Sequence, residues 1–306
     1  MRDYAYYGDL TLRQRILNIV RGVFRIGPLE RWLRERTEGS PVTSHWCRLM
    51  PPEYAYPKGS HRTIVRDGLT YELDLSNATD HGVYFGYADP GDANLMGAIG
   101  PDHVVVDIGG NIGVRAMAFA RRVPRGRVIT LEPDPENFAK AVRHFSLNGL
   151  ENITALRVGV GPEEATHRLY RVVSSNSGMN RIITQGPGSE LERFPFREVR
   201  VRRLDEILQE AGIGHVDVIK IDVEGFEMEV LKGCMDVLER DHPLLFVEVD
   251  DENLRDNGSS AGELLAWLRG SGYATHDAER DVPLEEGLEF AHCHFDVLCR
   301  PVSQRS

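Results

Sequence analysis

The sequence predicts an α/β fold: a mostly parallel sheet covered by helices on both faces. Three observations carry this. Short apolar, β-branched runs alternate with segments of helical period between residues 104 and 299. The first run, Val104-Val105-Val106-Asp107-Ile108, reads as a strand buried on both faces. It leads into a small-residue turn, Gly109-Gly110-Asn111-Ile112-Gly113, and then into a helical pattern.

The elements follow in order. Leu10, Leu12, Ile16, Leu17, Ile19, Val20, Val23 and Phe24 recur at helical spacing, and Gly27-Pro28 interrupts a helix over 10–36. Seven arginines between positions 13 and 36 fill much of the rest. Such a helix either packs on the body of the protein or on a second subunit, or lies on an anionic membrane surface. Residues 39–61, rich in Pro, Gly, Ser and Tyr, read as a linker or an irregular wrap. Residues 62–66 and 70–75 flank Asp67-Gly68-Leu69 as a β-hairpin, and 92–99 is a short helix. Strands are expected at 104–108, 127–131, 153–158, 216–221, 244–249 and 290–299, with further strands at 167–173 and 197–202 around a loop at 174–195. Helices are expected at 114–122, 135–147, 204–210, 226–232 and 262–269. The organisation is therefore an N-terminal extension over 1–61 and one large domain over 62–306.

Composition sets bounds. The 306 residues carry a net charge of −11, which disfavours a broad nucleic-acid surface. Cys47, Cys234, Cys293 and Cys299 have no zinc-like spacing, so reduced thiols in a cytoplasm are expected. No secretion signal and no run long enough to span a bilayer is evident.

The chemistry gathers at predicted strand ends, where open α/β sheets bind ligands. Asp107, Glu132, Asp222 and Glu248 stand there. A buried acid without a partner costs several kcal/mol, roughly, so a ligand rich in hydroxyl and amino groups is implied. A dinucleotide would need G-x-G-x-x-G for its pyrophosphate, whereas the spacing here is D-x-G-x-x-x-G. An acid ahead of the turn repels a pyrophosphate and suits an ammonium group. Glu132, after the second strand, suits a ribose diol. Both fit S-adenosylmethionine; an NAD-dependent oxidoreductase is the alternative reading. A third is a non-catalytic cofactor-binding module docked through the basic helix.

The stretch Val105 to Gly113 resembles the first motif of class I S-adenosylmethionine-dependent methyltransferases. Val218-Ile219-Lys220-Ile221-Asp222-Val223-Glu224-Gly225-Phe226-Glu227, with Val230-Leu231-Lys232-Gly233, resembles the hallmark of the FkbM family within that class. The resemblance implies a Rossmann-like, seven-stranded sheet whose last strand is antiparallel. It implies that Asp107, Gly109, Gly110, Asn111 and Gly113 face the methionine part of the cofactor. Glu132 would hold the ribose, and Pro133, Asp134, Gly159 and Val160 would lie near the adenine. Asp222 would sit beside the reactive methyl, and Ser177 in a small-residue loop near the cofactor. Gly110 and Phe226 replace residues that are often Ala in the family; Phe226 would reshape an acceptor pocket.

Methyl transfer to a hydroxyl can need a base, and Asp222, Glu248 and His81 are the expected ones, Asp222 first. Asp222 could equally only bind the cofactor's amino group, and His81 could be an ordinary loop residue. Glu248, Asp250 and Asp251 could join Asp222 around Mg²⁺. In a strand over 290–299, His292 and His294 would share one face and Cys293 the other, which argues against a metal there. The expected acceptor is a hydroxyl on a sugar, glycolipid or polyketide-like metabolite, in a pocket built from loops 76–89 and 174–195.

Overall fold

The computed structural model describes residues 11–86, 90–173, 175–185, 191, 193–285 and 290–302. Leu10, Tyr87 and parts of both expected pocket loops lie outside the described residues. The chain divides into two units: residues up to 89 with 172–179, and residues 90–171 with 180–306.

In the first unit, α1 (Leu12–Gly22) is started by a capping box. The Thr11 side chain accepts from the Gln14 amide, and the Gln14 side chain accepts from the Thr11 amide. A short turn leads to α2 (Gly27–Thr37), with Pro28 in its first turn. The expected hairpin is present as β1 (His61–Arg66) and β2 (Leu69–Asp74), paired antiparallel. Asn77 caps α3 (Ala78–Phe85). Leu33, Leu73, Leu75, Tyr84 and Phe85 form the centre of this unit. Glu30 is buried among them, held by Arg62 Nε at 2.8 Å and by the Tyr84 hydroxyl at 3.0 Å.

The second unit runs α4 (Pro90–Ala98), β3 (Val104–Ile108), α5 (Val114–Arg122), β4 (Arg127–Leu131), α6 (Pro135–Leu147), β5 (Ile153–Leu156), β6 (Gly159–Val160), β7 (Ala165–Arg171), β8 (Asn180–Ile182), β9 (Phe196–Arg202), α7 (Leu204–Glu210) and β10 (Val218–Ile221). It continues with α8 (Glu227–Lys232), α9 (Met235–Asp241), β11 (Leu244–Asp250), α10 (Asp251–Arg255), α11 (Ala261–Gly270), β12 (Tyr273–Asp277), β13 (Val282–Pro283) and β14 (His294–Pro301).

The main sheet has the order β13-β12-β14-β11-β10-β3-β4-β5. β11, β10, β3, β4 and β5 are mutually parallel, and β14 is antiparallel to both β11 and β12. The expected antiparallel last strand is thus present. The sheet counts eight strands rather than seven, because the two-residue β13 adds an edge. β12 escapes a sequence reading because Tyr-Ala-Thr-His-Asp has no apolar run; only Tyr273 and Thr275 turn inward. The strands expected at 167–173 and 197–202 form instead a separate four-stranded sheet, β6-β9-β7-β8. β14 starts at His294, after a turn in which His292 takes a φ of 58°. His292 and His294 therefore do not share a strand face.

The parallel strands are apolar on both faces, as a sheet between helix layers requires. Val106, Ile108, Ile129, Leu131, Ile219, Ile221, Leu245 and Val247 join one core cluster. The polar residue inside β10 is Lys220, and its neighbour across the ladder is Asp107. That register places the site.

Candidate cofactor and acceptor site

Ile108, Leu131, Ile221 and Val247 end a continuous row of the parallel ladder. The next residues are Gly109, Glu132, Asp222 and Glu248. Three of the four expected strand-end acids thus stand in one line at the carboxyl edge, where β3 and β10 diverge. The fourth, Asp107, lies one residue inside β3.

Asp107 is fully buried and is answered within the fold. Lys220 Nζ lies 3.2 Å from its carboxylate, and the Thr130 hydroxyl donates to it at 3.1 Å. Lys220 also donates to the Gly109 carbonyl at 2.9 Å and pairs with Asp222 at 3.3 Å. One ammonium is thus shared by the Asp107 and Asp222 carboxylates. Burial would drive the lysine toward neutrality, but Asp222 and Asp107 outweigh it and hold the ammonium form. The sequence reading gave Lys220 no role. A lysine between isoleucines in a buried strand, opposite an acid, is the signal that could have found it.

The glycine turn is fastened to the neighbouring strand. The amides of Gly109 and Gly110 both donate to the Leu131 carbonyl, at 3.0 Å each. The Asn111 amide donates to Glu132 at 2.8 Å, and the Gly113 amide to the Gly110 carbonyl at 2.9 Å. Gly109 has a φ of +80°, and a Cβ there would overlap the Asp222 carbonyl oxygen. These amides are committed inside the protein and do not form a phosphate cradle. Asn111 also adopts a positive φ, of 48°, and its buried side-chain oxygen has no hydrogen-bond partner among the described residues.

Glu132 is buried and accepts from the amides of Asn111 and Asp134. Burial pushes its carboxyl up to about 7, against the pull of those two amides. Asp134 caps α6 through the amides of Glu136 and Asn137. A Cβ on Gly159 would stand 3.8 Å from Pro133, so the residues expected near an adenine do adjoin. Val160 is a core residue.

On the other side, Asp222 is flanked by two cations. Besides Lys220, Arg115 Nη1 lies 3.3 Å away, while Arg115 Nε pairs with Asp92 at 3.0 Å. Burial would raise the Asp222 carboxyl, but Lys220 and Arg115 hold it below the usual range. Asp222, Glu224 and Glu248 each bring a carboxylate oxygen within 4.8 Å of the others. Burial and the crowding acids push Glu224 up to about 8 and Glu248 well above its ordinary value. Glu224 sits in a strained turn with a φ of 57° and accepts from Asn253 Nδ2 at 2.9 Å. Glu227, fully buried, takes the amides of Val223 and Gly225 and fixes that turn. His294 stands beside the row, with Nδ1 at 3.1 Å from Asp250 and Nε2 at 3.9 Å from Glu248.

Other expected residues have partners of their own. Asp250 caps the Asn253 amide, and Asp251 takes the amides of Ala261 and His292 and pairs with Arg255. Glu224, not Asp250 or Asp251, completes the acid cluster. Phe226 is buried and packs edge-on against His167. His81 and Ser177 belong to the first unit. His81 is buried between Tyr56 and Phe85, with its Nε2 2.8 Å from the Pro51 carbonyl; burial lowers its basicity. The Ser177 hydroxyl accepts from Asn77 Nδ2 at 3.0 Å.

A parallel sheet with an antiparallel strand, β14, set between β11 and β12, a glycine turn after its first strand and an acid after its second define the class I methyltransferase fold. The family profile described as methyltransferase FkbM domain matches residues 107–275. The chain belongs to this family. It is 32% identical over 217 residues to the 31-O-demethyl-FK506 methyltransferase FkbM of Streptomyces tacrolimicus, covering 62% of this chain and 78% of that protein. It is 31% identical over 148 residues to Methyltransferase 1 of Beauveria bassiana, covering 44% of this chain. It is 27% identical over 166 residues to the 2-O-methyltransferase NoeI of Sinorhizobium fredii, covering 50% of this chain and 66% of that protein. The match spans 59% of the length of the Beauveria relative.

Proposed function

We propose that the chain is an S-adenosylmethionine-dependent O-methyltransferase acting on a hydroxyl of a sugar, glycolipid or polyketide-like metabolite. The observation that carries the cofactor assignment is the pairing of Glu132 with a glycine turn whose amides are already engaged. A buried carboxylate at the second strand suits a ribose diol, and the turn offers no set of free amides to a pyrophosphate. The unpartnered Asn111 oxygen and the carboxylate row supply acceptors for an amino-acid tail. Bound there, S-adenosylmethionine supplies an activated methyl group on a sulfonium.

What remains for the protein is to position the acceptor and to take its proton. Asp222, tied to Lys220 and Arg115, is a poor base, and its reading as first choice gives way to a positioning role. Glu248 and Glu224 are the better bases, because like charge and burial raise both toward the working pH. The oxygen acceptor is supported by the names of two relatives, a 31-O-demethyl-FK506 methyltransferase and a 2-O-methyltransferase. Isothermal titration tests the reading: S-adenosylhomocysteine should bind and NAD should not. The reverse result would overturn it. A screen of hydroxylated metabolites with labelled cofactor would then identify the acceptor.

A further inference from the structure

A surface helix ordinarily turns its apolar stripe toward the core and its polar side to water. α1 does the opposite. None of its residues is buried. Leu12 is 74% exposed, Ile16 56% and Ile19 75%, and Val20, Val23 and Ile26 are exposed beside them. The spacing of Leu12, Ile16, Ile19, Val20 and Val23 is that of one helical face. The polar side meets protein instead. Asn18 Nδ2 donates to the Tyr54 hydroxyl at 2.7 Å, and Arg21 Nε donates to the Arg48 carbonyl at 2.8 Å. These two bonds fix the rotation that leaves the apolar stripe in solvent. Among the described residues, nothing buries that stripe.

Charge decides what would cover it. Residues 10–29 contain Arg13, Arg15, Arg21 and Arg25 and no acid, in a chain of net charge −11. At 100° per residue, Arg13 and Arg15 fall on opposite edges of the stripe. A second copy docked through this face would bring the same acid-free segment and offer its arginines no counter-charge. An anionic bilayer offers the complement, acyl chains for the stripe and phosphates for its edges. No helix among the described residues is long and apolar enough to cross a membrane, so the contact would be interfacial.

We propose that residues 12–26 form an interfacial helix that holds the protein on anionic lipid. The test is co-flotation of the full chain with vesicles of phosphatidylcholine alone and of phosphatidylcholine with phosphatidylglycerol. Association is expected with the anionic vesicles only, declining as salt is raised. Replacing both stripe residues, Ile16→Asp with Ile19→Asp, should weaken it at least about tenfold while the thermal midpoint stays that of the wild type. Arg13→Gln with Arg15→Gln, which leaves the stripe intact, should remove most of the salt-dependent part. Three results would overturn the proposal. One is no flotation, or equal flotation on neutral vesicles. Another is flotation that survives the Ile16/Ile19 change. The third is a dimer in sedimentation that the same change converts to monomer, which would make a second copy the occupant.

Discussion

Lys220 Nζ lies 3.2 Å from the Asp107 carboxylate, on the adjacent strand of a buried parallel ladder. The same ammonium reaches the Gly109 carbonyl and Asp222. One cation thus joins the first strand, the glycine turn and the acid row. Removing one partner of a buried pair leaves an uncompensated charge. Lys220→Met should cost about 3–5 kcal/mol in chemical unfolding. Asp107→Asn in the same chain should recover part of that loss, because it removes the charge left behind. Additive losses in the double variant would show that the pair does not act as a unit.

Glu132 gives the cofactor prediction. Its carboxyl is pushed up to about 7 by burial. A ribose diol donates to the ionised form, so a bound ligand favours deprotonation. Below pH 7 the carboxyl holds a proton that binding must displace. S-adenosylhomocysteine affinity should therefore fall by roughly tenfold per pH unit below that value and level off above it. Glu132→Gln should weaken binding by about 1.5–3 kcal/mol and flatten the profile. An unchanged affinity in Glu132→Gln would remove Glu132 from the ribose.

Glu248 and Glu224 carry the proton prediction. A base works only when deprotonated, and Glu224 is held up to about 8. Turnover per unit acceptor should rise with pH through an acid limb near that value. Glu248→Gln should lower turnover by about 10²–10⁴-fold, and Asp222→Asn should weaken cofactor or acceptor binding without removing the limb. EDTA should leave turnover unchanged, since Lys220 and Arg115 already compensate Asp222. A loss restored by Mg²⁺ would place a cation among Asp222, Glu224 and Glu248.

Where sequence periodicity was strong, the fold could be read closely. Val104–Ile108, Arg127–Leu131, Pro135–Leu147 and Leu204–Glu210 stand at the expected bounds. β12 and β8 have no such signal, since a strand next to the sheet edge and a three-residue strand need little apolar sequence. The acids of the row were legible as strand-end residues. Their charge states were not, because these depend on burial and on neighbours that packing brings, Arg115 beside Asp222 and the other acids beside Glu248. His292 and His294 were misread because alternation was assumed through a turn.

Gly110 links the turn to that buried pair and gives a sharper test of it. A Cβ on Gly110 would overlap the Thr130 hydroxyl oxygen, and it would stand 3.2 Å from the Asp107 carboxylate. That hydroxyl donates to Asp107 at 3.1 Å, so it cannot turn away without leaving the carboxylate. The family resemblance finds Ala frequent at this position; here Thr130 fills the space an Ala would need. Gly110→Ala alone should destabilise the fold by about 1–3 kcal/mol through overpacking. Thr130→Ala alone should cost about 1 kcal/mol for the lost hydrogen bond. The double variant should be more stable than the sum of the two losses, since the new methyl then occupies the space the hydroxyl vacated. Additivity in denaturant unfolding would mean that Gly110 is required by its backbone and not by Thr130.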